Sequence, residues 1–281
     1  MDKIIGLGKT GCGIAEEFCA YPEYRIYKIG VGIPARGNLV LEEQEDIAAY
    51  EEAADAIEMA GYLRSVKPGD EVLFIVAGDE PISGLSLTIL EQIKDVSITV
   101  LYIAPDSEVC SDEQKINHRI VYNILQEYTR SGVFRRMFLA HRRVVEELVG
   151  DVSVREYEKS INNFIAYVVA MVNYCDHTEP VVSNKTSPAE ISRIGTVGVS
   201  SLEPKDDIQF LFDLSTATDV HHYYAIPSQD LDEQKGLMRD IKMRTKRFAK
   251  EGINTSFSVY STTFDQPIVL VTAFTKDLQT N

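Results

Sequence analysis

The segment that decides the fold lies near the amino terminus and reads KIIGLGKTGCG, from Lys3 to Gly13. Its first five residues predict a short buried strand, and the apolar periodicity of Thr10 to Ala20 predicts a helix directly after it. Between the two, Gly6, Gly8 and Gly11 fit the spacing G-x-G-x-x-G. This spacing is typical of loops in which backbone N–H groups at a helix N-terminus bind phosphate. The same glycines also allow a helix simply to pack closely on a strand, so both interpretations stay open.

Apolar runs and helical periodicity alternate through the rest of the first half. Strands are predicted at Tyr24 to Ile29, Val72 to Ala77, Ser97 to Ala104 and Val133 to Ala140, with helices at Leu85 to Ile93, Glu113 to Tyr128 and Arg142 to Val149. This alternation predicts an α/β domain over residues 1–153, built on a doubly wound and mostly parallel sheet. Functional loops are then expected at the carboxyl ends of its strands.

The second half has a different pattern. Val154 to Cys175 is apolar on nearly all sides and predicts a long central helix, which with the hinge after it covers residues 154–184. We expect a smaller α+β domain over 185–281. Its predicted elements are strands at Ile194 to Val199, Ile208 to Leu214 and Val220 to Ala225, a basic helix at Asp230 to Lys250, and a hairpin of Thr255 to Thr263 with Pro267 to Phe274.

Composition limits the classes of partner. Acidic residues outnumber basic ones 43 to 28, and the net charge of −15 repels nucleic acid and anionic membranes, so we expect neither as a partner. The four cysteines are irregularly spaced, which predicts reduced thiols, and no histidines lie at metal-ligand spacing. With no signal sequence or spanning helix apparent, a cytoplasmic protein is expected.

Two common nucleotide motifs fit poorly. A dinucleotide fold places an acidic residue about 20 residues after the glycines, but the chain from Lys28 to Arg36 contains no carboxylate. The P-loop pattern also fails, because Lys9 and Thr10 precede Gly11 instead of following it. An NAD(P)-dependent oxidoreductase that uses the Gly6 to Gly11 loop stays open as an alternative.

The order of elements resembles the tubulin/FtsZ superfamily. Lys3 to Gly13 looks like that family's first glycine loop, Ala140 to Val145 falls where the family carries a Pro-Asn-Asp-Arg-Leu-Leu type segment, and Asn162-Asn163 falls where a similar pair meets guanine. The resemblance implies GTP or GDP as a possible cofactor. The residues that it places at the nucleotide are Gly6, Gly8, Lys9, Thr10, Gly11, Cys12, Gly78, Ser83, Gly84, His141, Arg143 and Asn162.

Two loops depart from the family pattern. The phosphate loop G-G-G-T-G-[ST]-G is replaced by GDEPISG, Gly78 to Gly84, in which two carboxylates repel an anion and Pro81 lacks an N–H donor. The closest match to the family's N-x-D-x-x-D-like catalytic loop is KTSPAEI, Lys185 to Ile191, with serine in place of the first aspartate. We therefore predict a divergent member with weak nucleotide binding and no hydrolysis, and we assign no catalytic residue.

Charge is segregated along the chain. Glu42 to Glu58 is rich in acidic residues, whereas the helix predicted at Asp230 to Lys250 is basic. The resemblance implies head-to-tail self-association, which these opposite charges would steer, or association with another protein. The alternative to an assembly protein or an oxidoreductase is a ligand- or partner-binding module without chemistry.

Overall fold

The computed structural model describes residues 1–202, 207–249 and 252–280. The chain divides into two compact units, Met1–Tyr167 and Val168–Asn281, and the division falls inside a long helix. None of the helices in the described part of the chain is long and apolar enough to cross a membrane.

The first unit contains a parallel sheet in the order β3-β2-β1-β4-β5-β6. The strands are β1 (Lys3–Leu7), β2 (Arg25–Gly30), β3 (Leu39–Val40), β4 (Glu71–Ala77), β5 (Ser97–Ala104) and β6 (Arg136–His141). The helices are α1 (Gly8–Glu17), α2 (Ile47–Ala53), α3 (Met59–Leu63), α4 (Ser86–Gln92), α5 (Asp112–Arg130), α6 (Arg142–Val149) and α7 (Tyr157–Asp176), with 3₁₀ turns at Phe18–Ala20, Ala54–Ala56 and Pro81–Leu85.

This architecture confirms the predicted alternation of strands and helices and the long helix after them. The run Val72 to Ala77 is buried throughout, as expected for a central parallel strand covered on both faces. The strand order reverses between β1 and β4. Ligands of open α/β sheets bind outside the carboxyl ends of the strands at such a point, which is where the glycine loop and the Gly78 to Gly84 loop lie.

The second unit is a mixed sheet with helices, as the predicted α+β class requires. Its strands are β7 (Val182–Ser183), β8 (Ile194–Ser200), β9 (Gln209–Phe210), β10 (Asp219–Pro227), β11 (Asn254–Thr262) and β12 (Ile268–Thr275), and its helices are α8 (Ser228–Glu233) and α9 (Leu237–Ala249). Strand β10 is central, with β11 parallel on one side and β12 antiparallel on the other. Ile241 of α9 is buried against Val220, Tyr224 and Val269, so α9 covers one face of this sheet.

The predicted hairpin of the last two strands is wrong. Strands β11 and β12 do not pair with each other, because β10 lies between them and bonds to both. The crossover through α8 and α9 makes β11 parallel to β10, and residues 263–267 then carry the chain past the end of β10. That link spans about 10 Å, two strand spacings, which five residues cover easily. Local turn chemistry was therefore a misleading indicator of strand pairing.

Two further elements differ from their predictions. The strand expected at Ile208 to Leu214 is reduced to Gln209–Phe210, a two-residue pairing with β8. The single basic helix is divided into α8 and α9, because the chain turns at Gly236 with a φ of 98°, which disfavours residues with a side chain. Lys250, the last basic residue of that prediction, lies outside the described residues.

Candidate functional site

The glycine loop connects β1 to α1 without any intervening residue. Gly8 begins α1 with a φ of 76°, a conformation that glycine adopts without strain. At Gly6 an added Cβ would lie 2.3 Å from the carbonyl oxygen of Gly11, and at Gly11 it would lie 2.4 Å from the carbonyl oxygen of Ile75. Gly6 and Gly11 are therefore required for α1 to pack against β1 and β4, whatever the loop binds.

The N–H groups at the start of α1 are bonded to Glu80. One carboxylate oxygen, Oε2, accepts from the backbone N–H of Lys9 at 2.6 Å, and the other, Oε1, accepts from that of Thr10 at 2.8 Å. These N–H groups have no partner within their helix, and the helix dipole favours negative charge beside them. A side chain from the loop after β4 thus occupies the anion position that the sequence pattern predicted for phosphate.

Glu80 also fills the space above the loop. A Cβ built on Gly8 would lie 2.1 Å from Oε2 of Glu80. Burial raises the pKa of the Glu80 carboxyl above its ordinary value, whereas the hydrogen bonds from Thr10 and Lys9 act in the opposite direction and do not cancel it. Burial likewise raises the pKa of the adjacent Asp79. In both carboxyls, desolvation disfavours the charged form.

A cavity of about 840 Å³ opens beside Glu80 at the carboxyl ends of the strands. Among the described residues, six carboxylates and two cations line it, which makes its surface acidic and unfavourable for a polyphosphate. The carboxylates belong to Glu43, Asp79, Glu80, Asp106, Glu146 and Glu158, and the cations to Lys9 and Arg142. Arg142 is partly neutralised, because it donates to Glu158 at 2.7 Å.

Four of the residues predicted to contact a nucleotide line this cavity: Gly8, Lys9, Thr10 and Asn162. Asn162 is 9% exposed, and its amide oxygen Oδ1 has no hydrogen-bond partner among the residues that the structure describes. It lies over α1, since a Cβ added to Gly13 would meet the Asn162 Nδ2 at 2.6 Å. The cavity therefore retains one buried acceptor on α7, opposite the loop that Glu80 covers.

The predicted residues of the second loop lie outside the cavity. The carbonyl of Gly78 accepts from the buried Ser83 hydroxyl at 3.4 Å, and a Cβ at Gly78 would lie 1.8 Å from the Tyr102 hydroxyl. Gly84 packs against Ile47 of α2, where an added Cβ would come within 2.8 Å. These side chains and backbone atoms take part in packing this loop.

The remaining predicted residues also lie away from the cavity. Cys12 is buried, its thiol lies 3.3 Å from the carbonyl of Gly6, and burial raises its pKa to about 12, which describes a packing residue and not a reactive thiolate. His141 ends β6, half-buried, with its pKa lowered by burial. The exposed Arg143 forms ion pairs with Glu108 at 2.7 Å and Glu147 at 3.3 Å.

Sequence reasoning missed the contact between Glu80 and the first loop, as well as Arg142, Asp106 and Glu158 in the cavity wall. One indicator was present: Asp106 and Arg142 follow closely after β5 and β6, at the strand ends where sites form in such sheets. Glu158 lies on α7 one helical turn before Asn162, a spacing that puts both on one face.

Comparison with solved structures places this geometry in a known fold. The chain superposes on an FtsZ dimer subunit of M. jannaschii with a TM-score of 0.72 and 10% identity, over 97% of this chain and 87% of that one. The chain has the tubulin/FtsZ fold. A GTPγS-form protofilament of TubZ from Bacillus thuringiensis serovar israelensis gives a TM-score of 0.71 at 12% identity, over 98% and 86% of the two chains.

A third tubulin/FtsZ-like structure, the GTPγS-bound protofilament of CetZ2 from Haloferax volcanii, matches with a TM-score of 0.69 at 13% identity, over 98% and 92% of the two chains. No protein-family model matches the sequence, and no curated protein matches it. These likenesses do not favour the oxidoreductase alternative.

Proposed function

We propose that this chain is a tubulin/FtsZ-like assembly protein that associates head to tail without hydrolysing GTP. The observation that carries the proposal is the Glu80 carboxylate bonded to the N–H groups of Lys9 and Thr10 at 2.6 and 2.8 Å. The tubulin/FtsZ-like structures include protofilaments of TubZ and CetZ2, which supports self-association.

The acidic cavity supports the loss of triphosphate binding. A phosphate chain entering it has to displace Glu80 from α1 and lie against Asp79, Asp106 and Glu158. Of the lining residues that the structure describes, Lys9 and Arg142 alone attract it. The loop Lys185 to Ile191, the closest match to the family's catalytic loop, has no acid at Ser187. Binding and hydrolysis are therefore both disfavoured by charge, and the glycine loop is stabilised by a carboxylate of the chain itself.

Opposite charges on the two units support head-to-tail contact. All the acidic side chains between Glu42 and Glu58 are exposed in the first unit. In the second unit the exposed basic side chains of α9 and of the two residues before it are Lys235, Arg239, Lys242, Lys246 and Arg247; Arg244 is buried and bonded to Ser200. A contact that joins one patch to the other repeats without closing, which gives a filament.

Electron microscopy and sedimentation of the full chain, across protein and salt concentration and with or without GTP, test the proposal. We expect open-ended assembly that does not need GTP and that weakens as salt screens the charged patches. The double variant Lys242→Glu/Lys246→Glu should assemble at least about tenfold more weakly, because it reverses two charges of the basic patch. Lys94→Glu, an exposed lysine of the first unit, is the control.

Two results would contradict the proposal. A wild-type chain that shows no open-ended growth at any protein concentration has no head-to-tail contact. Assembly that appears only when GTP is added, with phosphate released, would show that Glu80 does not keep the nucleotide out.

A further inference from the structure

Helix α5 has a row of large apolar side chains on its solvent side. Ile116, Ile120, Ile124 and Tyr128 are 55%, 42%, 36% and 42% exposed, and their spacing of four residues aligns them along the helix. The opposite side of α5, with Val121 and Leu125, is buried in the first unit. The helix is thus apolar on two sides, and only one of them is used by the fold. We call the exposed row the α5 stripe.

A row of this kind differs from ordinary surface composition. Single exposed apolar residues are common on soluble proteins, but a contiguous strip is typical of an interaction surface. The core does not require the strip, because α5 already packs through its other face. These four side chains are therefore available for a contact outside the described part of the fold.

The charged residues beside the α5 stripe indicate what covers it. An adjacent exposed row contains Lys115 and Arg119 toward the start of the helix and Glu127 toward its end. Asp112 lies in the first turn and Arg130 in the last. When a second copy of this helix is reversed and placed against the first, the basic start of one helix lies beside the acidic side chain near the end of the other, which brings Lys115 near Glu127 and Asp112 near Arg130. In the single chain Glu127 and Arg130 pair with each other at 2.6 Å, on the exposed surface.

We propose that the α5 stripe pairs with the α5 stripe of a second copy, antiparallel and about a twofold axis near the middle of the helix. Ile120 then packs against Ile124 of the second copy, and Ile116 against its Tyr128. In a face-to-face antiparallel pair related by a twofold axis, both charged rows lie on the same side of the seam, so the complementary charges can touch. A parallel pair places the two rows on opposite sides and loses these contacts.

The size of the contact sets its strength. A helix of 19 residues is about 28 Å long, and one helix against another buries less than a standard interface. The association is therefore weak and reversible, and it closes at two chains because the same surface is used on both. It is independent of the head-to-tail contact, which is open-ended, and within filaments it would join two of them side by side.

Sedimentation equilibrium of the full chain over a wide concentration range tests the pairing. Ile120→Glu places a charge in the centre of the seam and should weaken pairing about tenfold or more. Val154→Glu adds the same charge at a valine that is 94% exposed elsewhere on the first unit, and should leave pairing unchanged. Circular dichroism of both variants checks that the fold is retained, as expected for substitutions at exposed positions.

A charge exchange tests the antiparallel orientation. Lys115→Glu and Glu127→Lys should each weaken pairing several-fold, because each places like charges opposite one another, whereas the double variant should recover most of the loss. Recovery is expected only if residue 115 faces residue 127 of the second copy. A wild-type chain that never forms the discrete pair, equal effects of Ile120→Glu and Val154→Glu, or no recovery in the double variant would overturn the proposal. If open-ended growth is lost but the discrete pair still forms, the head-to-tail contact is contradicted and the α5 pairing is not.

Discussion

Replacing Glu80 separates the two ways in which, under the proposed function, its carboxylate would keep phosphate from α1. The carboxylate repels an anion by its charge, and it also occupies the N–H groups of Lys9 and Thr10. Glu80→Gln removes the charge but keeps a side chain of the same shape with one acceptor oxygen. Glu80→Ala removes both the charge and the occupant. Phosphate affinity should therefore rise from wild type to Glu80→Gln and again to Glu80→Ala.

The size of the gain follows from the bonds that a ligand has to break. The carboxylate regains its hydration when it leaves the two N–H groups, so displacing it costs about 1–2 kcal/mol, the same amount by which its removal should weaken folding. This corresponds to roughly tenfold in affinity. We expect Glu80→Ala to bind inorganic phosphate and GDP about tenfold more tightly than wild type, and Glu80→Gln to show an intermediate gain.

Stability should respond differently from binding. Because burial raises the pKa of Glu80 despite its two bonds, desolvation outweighs them, and Glu80→Gln should change the free energy of unfolding by less than about 1 kcal/mol at neutral pH. Glu80→Ala should lower it by about 1–2 kcal/mol, because two N–H groups lose their acceptor. The alanine variant should thus be less stable than wild type but bind phosphate more tightly.

Calorimetric titration of the three proteins with phosphate, GDP and GTP measures the series. Glu43→Ala is the matched control, because it also removes a carboxylate from the cavity wall but its side chain is exposed. Equal affinities for Glu80→Ala and wild type would refute the reasoning, as would tight GTP binding by the wild-type chain. A gain in Glu43→Ala as large as that in Glu80→Ala would show that net charge matters and occupancy does not.

Three further predictions concern the same loop. Gly8→Ala should lower the free energy of unfolding, measured by urea denaturation, by about 2 kcal/mol or more, because it combines a positive φ with a Cβ 2.1 Å from Glu80. Gly69→Ala is the control, because Gly69 has a φ of 96° and open space around it, so this variant measures the backbone strain alone. Folding raises the pKa of Glu80, so its stabilising contribution is fully present below the unfolded pKa and is lost as pH rises through the folded pKa. Glu80→Gln should therefore gain stability relative to wild type across that pH window, as pH-dependent denaturation will show. A difference in the free energy of unfolding that does not change with pH would contradict the burial of Glu80. Iodoacetamide should label the exposed Cys19 but not Cys12 in the folded chain, as mass spectrometry can determine, and labelling of both at equal rates would contradict the buried loop.

The fold could be predicted from the sequence where the signal was periodic and local. The buried run Val72 to Ala77 and the amphipathic stretch at Glu113 to Tyr128 gave β4 and α5 to within two residues, because burial on both faces or on one face leaves a distinct pattern of side chains. Strand pairing in the second unit is not local. The turn at Phe264 to Gln266 has the composition of a hairpin, yet β10, about 40 residues earlier in the chain, lies between the two strands.

The candidate site was predictable by position but not by contact. The pattern placed Gly8 and Asn162 beside a crevice at the strand ends, and both line the cavity. It also indicated that Asp79 and Glu80 are unfavourable for a phosphate. It could not indicate that Glu80 reaches α1, since that contact joins residues 70 positions apart and depends on how Pro81 starts the 3₁₀ turn after β4.

The glycine pattern does not by itself imply a bound phosphate, because the glycines have a second physical reason to be there. An added Cβ at Gly6 or Gly11 would meet a backbone carbonyl oxygen at 2.3–2.4 Å, whether or not an anion is bound. Backbone cannot move aside as a flexible side chain can, so either glycine is needed for α1 to lie on the sheet. At Gly8, by contrast, the obstacle is the Glu80 carboxylate itself. The pattern G-x-G-x-x-G therefore indicates how a helix packs on a strand, and the partner of the N–H groups that follow decides whether the loop can bind phosphate.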